Sequence, residues 1–138
     1  MPGRPGREMI RVGLRALVDR YSLDLVVANA ESAARLYENR APRRGHWLGV
    51  RAIDPQLGRD AIGAQIIVEA GGRQHRRFVR TSAGYQASQP ATAHFGLGPT
   101  MAIDRMVVRW PQGDREAFTA ACVDCTVEIR RGEGAAAP

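Results

Sequence analysis

Hydrophobic and polar positions alternate through most of the second half of the chain. From Trp47 to Ile53, Leu48, Val50 and Ala52 alternate with Gly49 and Arg51; from Ala64 to Ala70, Ile66 and Val68 alternate with Gln65 and Glu69, with Ile67 out of step. From Asp104 to Trp110, Met106, Val108 and Trp110 share one side and Arg105 and Arg109 the other. Cys125, Val127 and Ile129 alternate with Thr126, Glu128 and Arg130, the cleanest such run in the chain. A period of two is that of a strand with one buried face. Asp54-Pro55-Gln56-Leu57-Gly58 reads as a loop, Gly71-Gly72 as a hairpin turn that Arg73 to Thr81 leaves as the return strand, and Pro111-Gln112-Gly113-Asp114 as a further turn. Short strands separated by such turns predict an all-β domain, a small antiparallel β-sandwich or a barrel-like variant of it.

The first part of the chain is patterned differently. Met1 to Arg7 is rich in Gly, Pro and Arg and is expected to be disordered. Ile10, Leu14, Leu17, Val18 and Tyr21 have helical spacing, so residues 1–22 are expected to hold a short amphipathic helix or to be disordered. Arg11, Arg15 and Asp19 interrupt that stretch, so no signal peptide is visible in it. Leu23 to Asn29 reads as a strand and Ala34 to Glu38 as its hairpin partner. Residues 41–45, within the polar Arg40–Gly45 segment, read as a linker, 46–131 as the main β-domain and 132–138 as a disordered tail.

Composition adds two points. Hydrophobic residues make up 44 % of the sequence and aromatics only 6 %, so the core must be built mainly of Val, Ile, Leu and Ala. No apolar run approaches the roughly 18 residues of a membrane-spanning helix. The net charge of +6 would suit an anionic partner, but all 20 basic residues are Arg and they are dispersed. Residues 1–45 carry nine Arg against five acids, and 46–131 carry eleven against eight. That distribution reads as a solvated surface rather than a nucleic-acid footprint. The densest local set, Arg73, Arg76, Arg77 and Arg80, is retained as the nucleic-acid alternative.

Four segments, in order, resemble the ASPIC/UnbV domain of the cartilage acidic protein-like family. They are His46 to Arg51, Arg59 to Ala64, Gly84 to Ser88 continuing to His94 to Gly98, and Val108 to Gly113. Upstream, Leu23 to Asn39 resembles the end of an FG-GAP/VCBS repeat, the blade unit of a β-propeller. The resemblance implies the C-terminal part of an exported protein, periplasmic or extracellular, with the hairpin as the remnant of one blade. An FG-GAP loop can bind calcium, which needs several oxygen ligands. Here Asp19-Arg20-Tyr21-Ser22-Leu23-Asp24 keeps two carboxylates and adds an arginine, so no calcium or other cofactor is expected.

Candidate chemistry is sparse. Cys122-Val123-Asp124-Cys125 is a C-x-x-C that leads into a strand and has no second pair, which leaves structural thiols, a disulfide and a metal or redox role all open. His46, His75 and His94 have no ligand spacing, and His94 is read as a packing residue. Gly96-Leu97-Gly98 lacks the features of a phosphate loop and reads as a bend after a strand. Arg59 and Asp60 lie where a carboxylate can lock a turn or meet a ligand. Tyr85, Gln86 and Ser88 offer hydrogen-bonding groups on a loop. These five residues are the candidate ligand-binding set. Trp110 reads as core or, alternatively, as a glycan-stacking platform.

The sequence therefore predicts a non-catalytic accessory or interaction domain with a protein or glycan partner. The alternatives are a carbohydrate-binding module using the Tyr85 loop and Trp110, a hydrolase using Asp60 with a second carboxylate, and nucleic-acid binding through the Arg73 to Arg80 strand.

Overall fold

The computed structural model describes residues 10–15, 24–29, 32–42, 45–82, 88–120 and 122–138. It divides into two compact units, one of residues 1–42 with 82–90 and the other of 43–81 with 91–138. Every regular element among the described residues is a strand.

The first unit holds a three-stranded sheet in the order β1-β2-β3, formed by β1 (Ile10–Arg15), β2 (Asp24–Asn29) and β3 (Arg35–Tyr37), all antiparallel. β1 stands where helical spacing predicts an amphipathic helix. Ile10, Val12 and Leu14 also alternate with Arg11, Gly13 and Arg15, and the two periods coincide at Ile10 and Leu14. Pairing with β2 along all six residues decides between them in favour of the strand. At the start of β2 the buried Asp24 accepts a hydrogen bond from the Asn39 amide at 2.9 Å, so one of the two carboxylates of the Asp19 to Asp24 segment serves the sheet; Asp19 to Leu23 lie outside the described residues.

The second unit is a two-layer sandwich. One layer contains β4 (His46–Asp54), β5 (Arg59–Asp60), β8 (Thr92–Gly98) and β11 (Cys125–Arg130). β8 and β5 pair antiparallel with successive parts of β4, while β11 pairs with it in parallel. The sheet is thus antiparallel apart from this one pair. The other layer has the order β12-β10-β9-β6-β7, from β6 (Gln65–Ala70), β7 (Arg73–Phe78), β9 (Arg105–Arg109), β10 (Arg115–Phe118) and β12 (Ala135–Ala136). Gly71 and Gly72 close the β6–β7 hairpin as a two-residue turn, with φ of 57° and 71°. Positive φ at both positions matches the strand twist and costs glycine little.

Between the layers lie Leu48, Val50 and Ala52 of β4, Ala93, Phe95 and Leu97 of β8, Ile66 and Val68 of β6, Met106 and Val108 of β9, and Trp110. β4, β6, β8 and β9 send alternate residues inward as the two-residue period predicts, and each fully buried large side chain contributes about 1.5–3 kcal/mol. Trp110 is 1 % exposed, so it is a core residue and cannot serve as a glycan platform.

Two further expectations are corrected. Gly96 and Leu97 lie within β8, with only Gly98 (φ 59°) at its end. Residues 132–138, expected to be a disordered tail, carry β12. The Glu116 carboxylate accepts from the Gly132 and Gly134 amides at 3.0–3.2 Å, and the Ala137 amide donates to the Arg115 carbonyl at 3.0 Å. Gly134 is required there, because a Cβ would sit 2.8 Å from Phe118 and Glu116.

Candidate functional site on the outer sheet faces

Arg59 and Asp60 form β5 against the end of β4. Asp60 pairs with Arg51 rather than with its neighbour Arg59: Arg51 Nε donates to Asp60 Oδ1 at 2.7 Å. Arg51 also reaches Glu128 at 3.3 Å, and Arg130 reaches Glu128 at 2.7 Å. The hydrogen bond and charge of Asp60 raise the Arg51 pKa above its ordinary value. The two carboxylates Asp60 and Glu128 are thus bridged by one guanidinium on the outer face of the β4 layer. Ser88 is exposed and belongs to the other compact unit, while Tyr85 and Gln86 lie outside the described residues.

The turn after β4 is locked by Asp54, not Asp60. Asp54 is 2 % exposed. Its Oδ1 accepts from the Gln56 and Leu57 amides at 3.0 and 3.3 Å. Its Oδ2 lies 3.3 Å from Gln112 Nε2 and 3.4 Å from Arg131 Nη1. Arg131 also pairs with Asp114, which, ahead of the opposing cost of burial, raises the Arg131 pKa. A buried carboxylate is tolerated when its lone pairs are taken up in this way. The knot joins three turns: those after β4, after β9 and after β11.

A second cluster lies at the other end of β4. Cys122 and Cys125 are joined in a disulfide, with Cα atoms 6.1 Å apart. Asp124, inside that small loop, has φ 60°. Its carboxylate lies 2.7 Å from His46 Nδ1 and accepts from the Trp47 amide at 3.1 Å, while its own amide donates to the Trp47 carbonyl at 2.8 Å. These contacts hold a left-handed conformation that Asp adopts more readily than most residues. Trp47 stacks on His94 at 5.4 Å between ring centroids, with planes 10° apart. Burial, helped by the charge of Arg77, lowers the His94 pKa. The packing role expected of His94 is therefore a stacking one.

The outer face of the other layer is open. A trough of about 340 Å³ runs over it, with Ile67 and Val107 among its lining residues. Residues opposite one another in a sheet share a face, so register gives its layout. Arg115, Arg109, Gln65 and Phe78 form one row across β10, β9, β6 and β7. Val107, Ile67 and Arg76 form the next, and Arg105, Glu69 and Gln74 the third. Gln74 accepts from Arg76 and donates to Glu69 at 3.1 Å, and Arg115 donates to the Pro138 oxygen at 2.9 Å. Among the described residues, Arg105 and Arg109 make no ion pair. The Arg73 to Arg80 set does not assemble in the same way. Arg76 faces the trough, whereas Arg73 and Arg77 stand opposite Ala70 and Ile66, on the other face.

The family profile described as ASPIC and UnbV matches residues 54–136, more than half of the chain. The chain belongs to the ASPIC and UnbV family. No curated protein matches it. The family match opens on Asp54 and ends within β12, so it takes in the Asp54 knot, the disulfide and the arginine trough. It also extends past Arg131, as the β12 pairing requires. An ASPIC/UnbV domain of this kind is an accessory domain. Among the described residues no three His, Cys, Asp or Glu side chains converge as a metal site, and no helix is long and apolar enough to cross a membrane.

Sequence reasoning missed Asp54, Arg105 and Arg109 as site residues of this ASPIC/UnbV chain. For the arginines a signal existed: both occupy the polar side of a strand that the turn pattern places among others. For Asp54 the signal was weak, since Asp before Pro is common in exposed loops.

Proposed function

We propose that the chain is a non-catalytic recognition domain, the C-terminal part of an exported protein whose preceding region carries FG-GAP repeats. The observation that carries the recognition reading is the pair Arg105 and Arg109. They sit on β9, which has neighbours on both sides, so edge protection does not account for them as it does for the arginines of the edge strand β7. Arg109 also stands directly opposite Arg115, a like-charge arrangement of the kind that costs stability, and of the two Arg115 donates to the Pro138 oxygen. The Cys122–Cys125 disulfide supports an oxidising compartment, periplasmic or extracellular. The antiparallel β2–β3 hairpin, with β1 beside it, supports the repeat-remnant reading, because a propeller blade is such a sheet.

The purified chain is expected to remain on the envelope fraction of its source cells at physiological salt, and the variant Arg105→Gln/Arg109→Gln to be released. Equal retention of both proteins overturns the recognition reading. Export is tested separately. In intact cells the cysteines are expected to react with a membrane-impermeant alkylating agent only after treatment with an impermeant reductant, and no labelling even after that reduction would count against export.

A further inference from the structure

We infer that the trough on the outer face of the five-stranded sheet binds an acidic oligosaccharide, one whose sugars carry carboxylate or sulfate groups. The inference rests on the recognition reading above and names its ligand class. Three observations meet on this face. The first is charge: Arg76, Arg105, Arg109 and Arg115 surround the trough, against Glu69, which accepts a hydrogen bond from Gln74, and the Pro138 oxygen, which accepts one from Arg115 and leaves Arg105 and Arg109 for a ligand. Guanidinium groups recognise planar oxyanions through paired N–H donors, which suits carboxylate and sulfate.

The second is neutral polarity. Gln65 lies between Arg109 and Phe78 in the same cross-strand row and makes no side-chain hydrogen bond among the described residues. Its amide offers a donor and an acceptor to a sugar hydroxyl. The third is Phe78, which is 58 % exposed at the end of that row and shares the trough face through its pairing with Gln65. More than half of its surface is open to solvent. A sugar ring presents C–H groups that a lone aromatic face can cover. The row from Phe78 to Arg115 crosses three inter-strand gaps, about 14 Å at the usual strand spacing. That is the reach of a short oligosaccharide, lying with an apolar ring face at one end and anionic groups at the other.

Single-stranded nucleic acid fits the face less well. It is held by successive aromatic platforms, and here the row carries one ring. An acidic peptide would use the arginines but leave Phe78 without a function.

The test is calorimetric titration of the full chain, near physiological salt, with oligogalacturonate and with a sulfated galactan oligosaccharide, beside neutral galactan, polyglutamate and single-stranded DNA of similar length. The two acidic sugars separate carboxylate from sulfate as the anion recognised. Binding of at least one, and not of neutral galactan, is expected. Arg105→Gln/Arg109→Gln is expected to weaken it at least tenfold. Arg35→Gln/Arg73→Gln, which removes the same charge away from the trough, is expected to change it less than twofold. Phe78→Ala is expected to weaken sugar binding several-fold with no change in net charge. Equal losses in the two arginine pairs, no effect of Phe78→Ala, binding of neither acidic sugar, or tighter binding of polyglutamate or DNA each overturns the assignment. Retention on the envelope without binding of either acidic sugar defeats the ligand class and leaves the recognition reading standing. Recovered oligosaccharide is expected to be intact by chromatography; shortened sugars would overturn the non-catalytic reading and leave the trough as their binding site.

Discussion

Removing the Asp54 carboxylate should cost the sandwich a large share of its stability, although the residue sits in a turn. In Asp54→Ala the Gln56 amide loses its 3.0 Å acceptor. A hydrogen bond to a charged group contributes about 1.5–3 kcal/mol. The Leu57 amide loses less, because it is shared with the Asp54 carbonyl at 3.2 Å and keeps that partner. Gln112 loses an acceptor as well. Gln56 and Leu57 are exposed, so water replaces part of what the turn loses. Together these considerations give a destabilisation of about 2.5 kcal/mol for Asp54→Ala. Asp54→Asn keeps an acceptor for the turn amides but turns an NH2 group toward Gln112 and Arg131, both donors, and should cost about 1 kcal/mol. The assay is urea unfolding followed by tryptophan fluorescence, with Trp110 in the core as the main reporter. With a urea dependence of about 1–3 kcal/mol per M for a domain of this size, the alanine variant should unfold roughly 1–2 M earlier. If both variants unfold within a few tenths of a molar of the parent, the knot is ornamental and the reasoning is refuted.

Three further outcomes are expected. His94 has a lowered pKa in the folded state, so below its ordinary value near 6.5 the unfolded chain binds a proton that the folded chain does not, and stability falls as the pH drops through that window. His94→Gln should flatten this slope, and a stability difference between parent and variant that stays constant from about pH 7.5 to about pH 5 would falsify the assignment. A Cβ at Gly49 would lie 2.6 Å from Thr126 Oγ1, so Gly49→Ala should cost about 1–3 kcal/mol, and Thr126→Ala in the same chain should recover part of it; strictly additive effects would show that the clash is relieved elsewhere. Replacing Cys122 and Cys125 by Ser opens a loop of sequence separation 3, for which chain entropy alone predicts a loss of about 2 kcal/mol, and an unchanged urea midpoint would mean that the cross-link does not constrain the unfolded chain.

What the sequence made legible was local. The inward residues of β4, β6, β9 and β11 follow from a two-residue period, and the Gly71-Gly72 hairpin follows from the need for two positive φ angles. β1 was misread because Ile10 and Leu14 satisfy both periods, and only the partner strand chooses. β12 was missed because Ala135 and Ala136 have no pattern of their own; their place depends on Glu116 and Phe118, far away in the chain. The candidate set of Arg59, Asp60, Tyr85, Gln86 and Ser88 came from reading neighbours in sequence. Asp60 finds its partner in Arg51, and the arginines of the trough come from β7, β9 and β10. Such a grouping is set by register, which a single sequence does not encode at any one position.

The parallel pairing of β11 with β4 also governs when the molecule can be finished. Arg51 and Glu128, which meet across that pair, are 77 residues apart. During synthesis β4 emerges early and can recruit β5 and then β8 on one side. Its other edge stays bare, with unpaired amides and carbonyls, until residues 125–130 have been made. Contacts so distant in sequence form slowly, and an open edge beside a hydrophobic strand is a template for association with another chain. The nascent chain therefore carries an adhesive edge from the completion of β4 at Asp54 until β11 begins at Cys125. A ribosome that stalled before Cys125 would release a protein with its sandwich open on the side where β11 belongs.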